Sequence, residues 1–236
     1  MSTKQTVYAN VVLLSGGLDS TTVLGRQYLQ NANVSALIFN YGQKHQVEIE
    51  RAKAVARHYG VPFHIMDIPA HFFATNNSAL VGNREIPNVN YSELTGVSPT
   101  YVPFRNGTLL SLATAFVMAN NPEKECTIAI GVHEDDVAGD AYPDCSVSFI
   151  DAMRESIRIG TYNKVELLAP YVRYTKAEVV LEGSRIDVPY NLTWSCYHGG
   201  TSHCGLCPTC RARQQAFAIA HVPDPTFYMD YPNDEE

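Results

Sequence analysis

Positive charge is scarce in this chain of 236 residues: Lys and Arg number 17 against 24 Asp and Glu, a net charge of −7. A protein that grips a nucleic-acid backbone needs a basic face. General nucleic-acid binding is therefore not expected, and small charged metabolites are the better class of partner. Long apolar runs are lacking as well. The uncharged stretch Asn106–Pro122 is broken by Asn, Ser and Thr and falls short of a membrane span. The first ten residues carry no charged-then-apolar signal pattern, so the expected setting is cytoplasmic, with no membrane. Two common phosphate motifs are also missing. There is no Gly-x-x-x-x-Gly-Lys-Ser/Thr and no Gly-x-Gly-x-x-Gly, which removes support for a Walker loop and for dinucleotide binding. Core-forming material is ample, at 45% apolar and 10% aromatic residues, and this excludes disorder of the whole chain. Internal repeats and low-complexity tracts are absent.

The first part alternates strand and helix patterns. Strands are predicted at Tyr8–Leu14, Val34–Phe39 and Phe63–Ile68. A helix is predicted from about Ser20 to Leu29, and another carries Ala52, Val55, Ala56 and Tyr59 on one face, stopped by Gly60 and Pro62. This β-α-β-α-β order predicts an α/β fold, a doubly wound parallel sheet of Rossmann-like type with helices on both faces. A long polar segment, 70–103, follows, and segments of that length are usually functional or mobile. The pattern resumes with a helix at Gly107–Asn120, a strand at Thr127–Gly131, and helices at Val147–Ile159, Thr175–Arg185 and Arg211–Ala220. Thr175 is the expected N-cap of its helix, with Glu178 three residues on. The division expected is a main domain over 1–190 and a small cysteine-bearing region over 191–236 packed on it.

The most informative segment is Ser15-Gly16-Gly17-Leu18-Asp19-Ser20, directly after the first strand. A glycine loop between strand and helix lets the backbone approach phosphate oxygens, while the helix N-terminus directs N–H groups and its dipole at the anion. Ser15, Ser20, Thr21 and Thr22 are expected to add hydroxyl donors. Asp19 reads either as an N-cap or as a ligand for the Mg²⁺ that accompanies pyrophosphate.

Six cysteines are present, and four of them, Cys196, Cys204, Cys207 and Cys210, fall within fifteen residues. Four thiolates at this spacing suit tetrahedral Zn²⁺ in a closed, structural site. Gly199, Gly200 and Gly205 are expected to allow the turns, and Pro208 to stiffen the last knuckle. A redox or sulfur-carrying Cys-x-x-Cys pair and a [4Fe–4S] cluster stay open as alternatives.

Other constellations sit after predicted strands. Lys44 and His45, in Asn40-Tyr41-Gly42-Gln43-Lys44-His45, lie at the same sheet edge as the phosphate loop and suit a phosphate or carboxylate partner. In Tyr101-Val102-Pro103-Phe104-Arg105-Asn106, Arg105 suits a bidentate clamp on an anion, Phe104 a stack on a flat heterocycle, and Asn106 a helix cap. His133-Glu134-Asp135-Asp136 and the following Tyr142-Pro143-Asp144-Cys145 suit Mg²⁺ or the donor edge of a guanine-like base, with Asp144 singled out. Lys176, in a first helical turn, opposes the dipole and hints at an anionic partner.

The loop Ser-Gly-Gly-Leu-Asp-Ser resembles that of the ATP pyrophosphatases, which adenylate a substrate oxygen and release pyrophosphate. Taken with Tyr-Gly-Gln-Lys-His, Tyr-Val-Pro-Phe-Arg-Asn, Tyr-Pro-Asp-Cys, the Lys176 segment and the four-cysteine cluster, the chain resembles the 7-cyano-7-deazaguanine synthase (QueC) family from Val11 to about Tyr228. The resemblance implies ATP binding by Leu14, Ser15, Gly16, Gly17, Leu18, Asp19, Ser20, Thr21, Thr22, Val23 and Leu24. It implies adenylation of 7-carboxy-7-deazaguanine, an amide formed with ammonia, and a second adenylation that leaves the nitrile. Arg105, Lys176 and Asp19 are the catalytic candidates; Lys44, His45, Phe104, Arg105, Tyr142 and Asp144 are the substrate candidates. Zinc on Cys196, Cys204, Cys207 and Cys210, Mg²⁺ with ATP, and a homodimer complete the implied set. A glutaminase domain would need far more chain, so free ammonia is expected. Another ligase or sulfurtransferase of the same superfamily is the alternative. Two departures, Asn40 where relatives often carry Asp and Ser146 where they are often basic, bear on substrate contacts.

Overall fold

The computed structural model describes residues 8–30, 33–43, 46–73, 78–82, 85–90, 93 and 96–229. Its centre is one parallel sheet of five strands in the order β3-β2-β1-β4-β5. The strands are β1 (Asn10–Leu13), β2 (Val34–Asn40), β3 (Phe63–Asp67), β4 (Cys126–Ala129) and β5 (Val165–Leu168). Val12 of β1 lies opposite Ala36 of β2 on one side and Ala129 of β4 on the other. Six helices cover the faces: α1 (Leu18–Gln30), α2 (Val47–His58), α3 (Arg105–Asn120), α4 (Val147–Gly160), α5 (Lys176–Arg185) and α6 (Pro208–Ile219).

The two-residue period of β1 sorts the core. Val11 and Leu13 pack with Leu110 and Val117 of α3 and Ile150 of α4. Val12 and Leu14 pack on the other side with Leu24 of α1, Val55 of α2, Val180 of α5 and Phe217 of α6. A parallel sheet buried on both faces explains why its strands read as continuous apolar runs. The expected doubly wound sheet is thus present. The edge strand β5 was not anticipated from the sequence, because Val-Glu-Leu-Leu is only four residues long and carries a charge.

Three helix starts differ from their expected places, with α1 beginning at Leu18 instead of Ser20. α3 begins at Arg105, preceded by Phe104 in the left-handed region at φ 54°. The Asp144 carboxylate accepts the N–H of Asn106 at 2.9 Å, so Asn106 lies inside the first turn and is not the cap. Its amide donates instead to the Asp144 carbonyl and the Cys145 sulfur, at 3.2 and 3.3 Å. Gly107 leaves room for the Phe104 ring, which any Cβ there would overlap. α6 begins at Pro208, whose missing N–H costs nothing at the first helical position. α5 keeps its capping box: the Thr175 hydroxyl accepts from Glu178 N–H, and the Glu178 carboxylate accepts from Thr175 N–H at 2.8 Å.

Arg213 of α6 ties down the last part of the chain. It is fully buried, donates to Asp224 at 3.1–3.2 Å, to the Thr193 hydroxyl at 2.7 Å and to the Tyr190 carbonyl at 3.1 Å. Removing the anion leaves a buried guanidinium uncompensated. Asp224→Ala is therefore expected to lower stability by about 3–5 kcal/mol, read as a lower urea midpoint with an unchanged slope.

Candidate active site

β1 and β4 are neighbours whose chains leave for different parts of the sheet, and open α/β sheets bind ligands at that switch point. The phosphate loop leaves β1 there. Gly16 has φ +81°, and a Cβ on it would stand 2.5 Å from the Glu48 carbonyl and 2.6 Å from the Ala52 nitrogen of α2. Only glycine satisfies both demands. The Gly16 carbonyl accepts from Trp194 N–H at 2.9 Å, so the cysteine-bearing region is bonded directly to the loop. After β4, a Cβ on Gly131 would lie 2.7 Å from the Ser20 nitrogen. Ser15 and Ser20 hydroxyls meet at 3.0 Å, and Ser15 Oγ accepts from Gly17 N–H at 3.2 Å. These contacts set the loop in place before any ligand arrives.

A cavity of about 580 Å³ opens over the loop, lined from it by Leu14, Ser15, Gly17, Leu18, Asp19 and Ser20. Thr21 and Thr22 differ from expectation. Both are fully buried, with Thr21 Oγ1 donating to the Gly17 carbonyl at 2.7 Å and Thr22 Oγ1 to the Leu18 carbonyl at 2.9 Å. The helical turn carries them, with Val23 and Leu24, into the core under the sheet. These four and Gly16, which lies against α2, do not line the cavity.

Lys176 enters the cavity from α5, only 9% exposed. Its ammonium lies 2.9 Å from Asp19 Oδ2 and 2.9 Å from His133 Nε2, while its N–H donates to Asp135 Oδ2 at 2.8 Å. Burial works against the Lys176 charge, but the Asp19 and Asp136 carboxylates together outweigh it and hold the pKa above the usual lysine value. Burial likewise pushes Asp19 up, and Lys176 and then His133 bring it below the ordinary carboxylate range. Both groups are charged at neutral pH. The His133 Nδ1 atom is buried with no hydrogen-bond partner among the described residues. Asp19 is thus no N-cap: it lies in the first turn of α1 and faces a lysine from a segment 157 residues away.

Arg105 reaches the cavity from α3 through long contacts, 3.4 Å to the Tyr41 hydroxyl and 3.4 Å to Asn106 Oδ1. Burial disfavours its charge, but Tyr41, Asp144 and Cys145 more than offset that, so it stays cationic. Tyr142 also lines the cavity, its hydroxyl 3.1 Å from Ser98 Oγ and 3.4 Å from the Tyr197 hydroxyl. Asp144 and Phe104 do not line it. Asp144 is buried where it caps α3, and Phe104 is 54% exposed with its ring edge-on to Phe149. Lys44 and His45 lie outside the described residues. Asn40 donates to Asp67 Oδ1 at 2.7 Å, and Ser146 caps α4 by accepting from Phe149 N–H at 3.1 Å. Burial and then the Asp136 and Asp144 charges push the Cys145 thiol well above its ordinary range, so it is no thiolate nucleophile at neutral pH.

Glu48, Trp194 and Tyr197 are among the cavity residues that escaped the sequence reading. Glu48 sits in the first turn of α2, in a stretch that reads as an ordinary charged helix face. Burial raises its pKa to about 7, against the pull of Arg105. The four cysteines come together as expected, all buried, with ligand atoms within 4.8 Å of one another. Gly199, Gly200 and Gly205 all have positive φ, and Cys204 and Cys207 N–H groups donate to cluster sulfurs at 3.4 and 3.3 Å. The set can hold one metal ion.

The family model described as "Queuosine biosynthesis protein QueC" matches residues 9–221. The chain belongs to the QueC family. The 7-cyano-7-deazaguanine synthase of Brucella anthropi is 40% identical over 222 residues, covering 93% of each chain. That of Paracoccus denitrificans is 39% identical over the same length, again covering 93% of each. Among solved structures, NMN synthetase from Francisella tularensis is similar with a TM-score of 0.46 and 14% identity, over 92% of this chain and 79% of that one. Among the described residues, no helix of this QueC-family chain is long and apolar enough to cross a membrane.

The raised Glu48 pKa has a consequence for stability. The folded state holds this proton more tightly than the unfolded chain, so the group's contribution is fully present below the ordinary carboxylate range and is lost as pH rises through about 7. Glu48→Gln is expected to stabilise the ligand-free protein at pH 8 by about 1 kcal/mol or more, or about 2–4 °C in Tm. The gain should shrink at pH 5, as followed by calorimetry at both values.

Proposed function

We propose that this chain converts 7-carboxy-7-deazaguanine and ammonia to 7-cyano-7-deazaguanine at the cost of two ATP. The observation that carries the reading is the meeting, over one phosphate loop, of a buried lysine from α5 with an arginine from α3. A substrate carboxylate attacking the α-phosphorus beside that loop develops charge on the carboxyl and on the leaving pyrophosphate together. The loop N–H groups face the pyrophosphate, and Arg105 and Lys176 serve the reacting carboxyl. Attack of the carboxylate gives the acyl adenylate and pyrophosphate. Ammonia then displaces AMP to form the amide. The amide oxygen is adenylated in turn, and loss of AMP leaves the nitrile. Acid and amide present an oxygen at the same place, so one pocket serves both rounds.

Asp19 is the carboxylate at the loop that fits the Mg²⁺ accompanying ATP, which neutralises phosphate charge when bound. It is now paired with Lys176, and a cation there would free the ammonium for the substrate. Cys196, Cys204, Cys207 and Cys210 fit Zn²⁺: four sulfurs, closed and buried, with no open position. Burial of all six cysteines in the chain speaks against the sulfurtransferase alternative. A cytoplasmic homodimer using free ammonia belongs to the same reading and is supported by the family membership.

The test is product analysis. Purified protein with Mg-ATP, ammonium and the acid is expected to give nitrile and AMP by mass spectrometry, with neither formed when the acid is omitted. ATP turnover without nitrile would sink the assignment of substrate. Lys176→Ala is expected to lower kcat/KM by about 100-fold or more; full turnover would remove its catalytic role. The protein is expected to carry one zinc per chain by elemental analysis, and strong chelation should unfold the C-terminal region and weaken ATP binding through the Trp194–Gly16 bond. A visible iron–sulfur absorbance would replace zinc in this account.

A further inference from the structure

Four carboxylates among the described residues line the cavity: Asp19, Glu48, Asp135 and Asp136. Three are occupied within the protein. Asp19 holds the Lys176 ammonium, Asp135 accepts the Lys176 N–H, and Asp136 accepts the His133 N–H at 3.4 Å. Glu48 alone has no hydrogen bond or ion pair with a described residue. It is anchored all the same, because its own carbonyl lies against Gly16 of the phosphate loop. Glu48 and Arg105 line the same cavity, and the carboxylate feels the Arg105 charge.

We propose that Glu48 reads the deazaguanine base, accepting its N1–H and its exocyclic 2-amine together. This rests on the reading of the reaction given above. A carboxylate has two oxygens that accept side by side, and it matches two adjacent donors. The guanine-type edge presents those donors in a row. The adenine edge of ATP sets an acceptor nitrogen beside its amine, which a carboxylate repels. The acid substrate, not the nucleotide, is thus the partner. Asp144, the residue the sequence favoured for this task, is spent on capping α3. A carboxylate desolvated in a cavity with no hydrogen-bond partner among the described residues costs the ligand-free fold stability, and groups of that kind cluster where a ligand supplies the missing contacts.

The experiment compares wild type with Glu48→Gln under steady-state conditions, varying the acid and ATP separately, and repeats both with the acid lacking its 2-amino group. Glutamine keeps the shape but places a donor toward a donor. The expected result is a KM for 7-carboxy-7-deazaguanine raised about 30-fold or more, with the ATP KM within about 3-fold of wild type. Loss of the 2-amino group should impair wild type strongly and the variant little further, which a merely structural role for Glu48 would not produce. An unchanged acid KM, or a rise in the ATP KM instead, would overturn the proposal while wild-type nitrile formation leaves the reaction standing. Failure of wild type to form nitrile from the acid would overturn the reaction and this proposal with it.

Discussion

Gly16 is squeezed from two sides, and much of the site depends on that squeeze. Its left-handed backbone lies against the first turns of α2, and its carbonyl is bonded to Trp194 at the start of the cysteine region. One residue thereby ties together the phosphate loop, the helix that bears Glu48 and the segment that bears the four clustered cysteines. The loop's N–H groups can stabilise a leaving pyrophosphate only if they are set before the reaction begins. Neighbouring backbone that admits no Cβ is an effective way to set them.

Electrostatics divides the cavity into finished and unfinished parts. The Lys176–Asp19 pair is formed in the ligand-free protein, each charge sustained by the other against burial. Arg105 and Glu48 are less satisfied: the first makes only long hydrogen bonds, the second none with the described residues. A fold stabilised by burial tolerates such groups at a site where ligand contacts complete them. The contrast suits a substrate that brings an anion at one end and ring donors at the other.

The cysteine cluster does its work at a distance from the chemistry. Its sulfurs are buried and close, and its glycines turn the chain tightly enough to gather them. Held together, this region presents Trp194 to Gly16 and Tyr197 to Tyr142. Arg213 fastens the same region from below through Asp224, Thr193 and Tyr190. The cysteine-bearing region thus acts as a buttress for the phosphate loop.

Local pattern alone carried the parallel sheet, the phosphate loop, the α5 capping box and the cysteine cluster. Each is written in a short stretch whose periodicity, glycines or ligand spacing has few physical solutions. The edge strand β5 escaped because four residues hold too little pattern. The fate of single side chains was beyond local reading. Thr21 and Thr22 look like phosphate donors until the helix turns them inward, and Asp144 looks like a ligand group until α3 presents an unsatisfied N–H to it. Sequence by itself determined the fold class and the family, since these follow from contiguous residues. Tertiary structure decided which carboxylate stays free, because whether a charge is paired depends on partners that arrive from distant segments: Lys176 for Asp19, Asn106 for Asp144, and no described residue for Glu48.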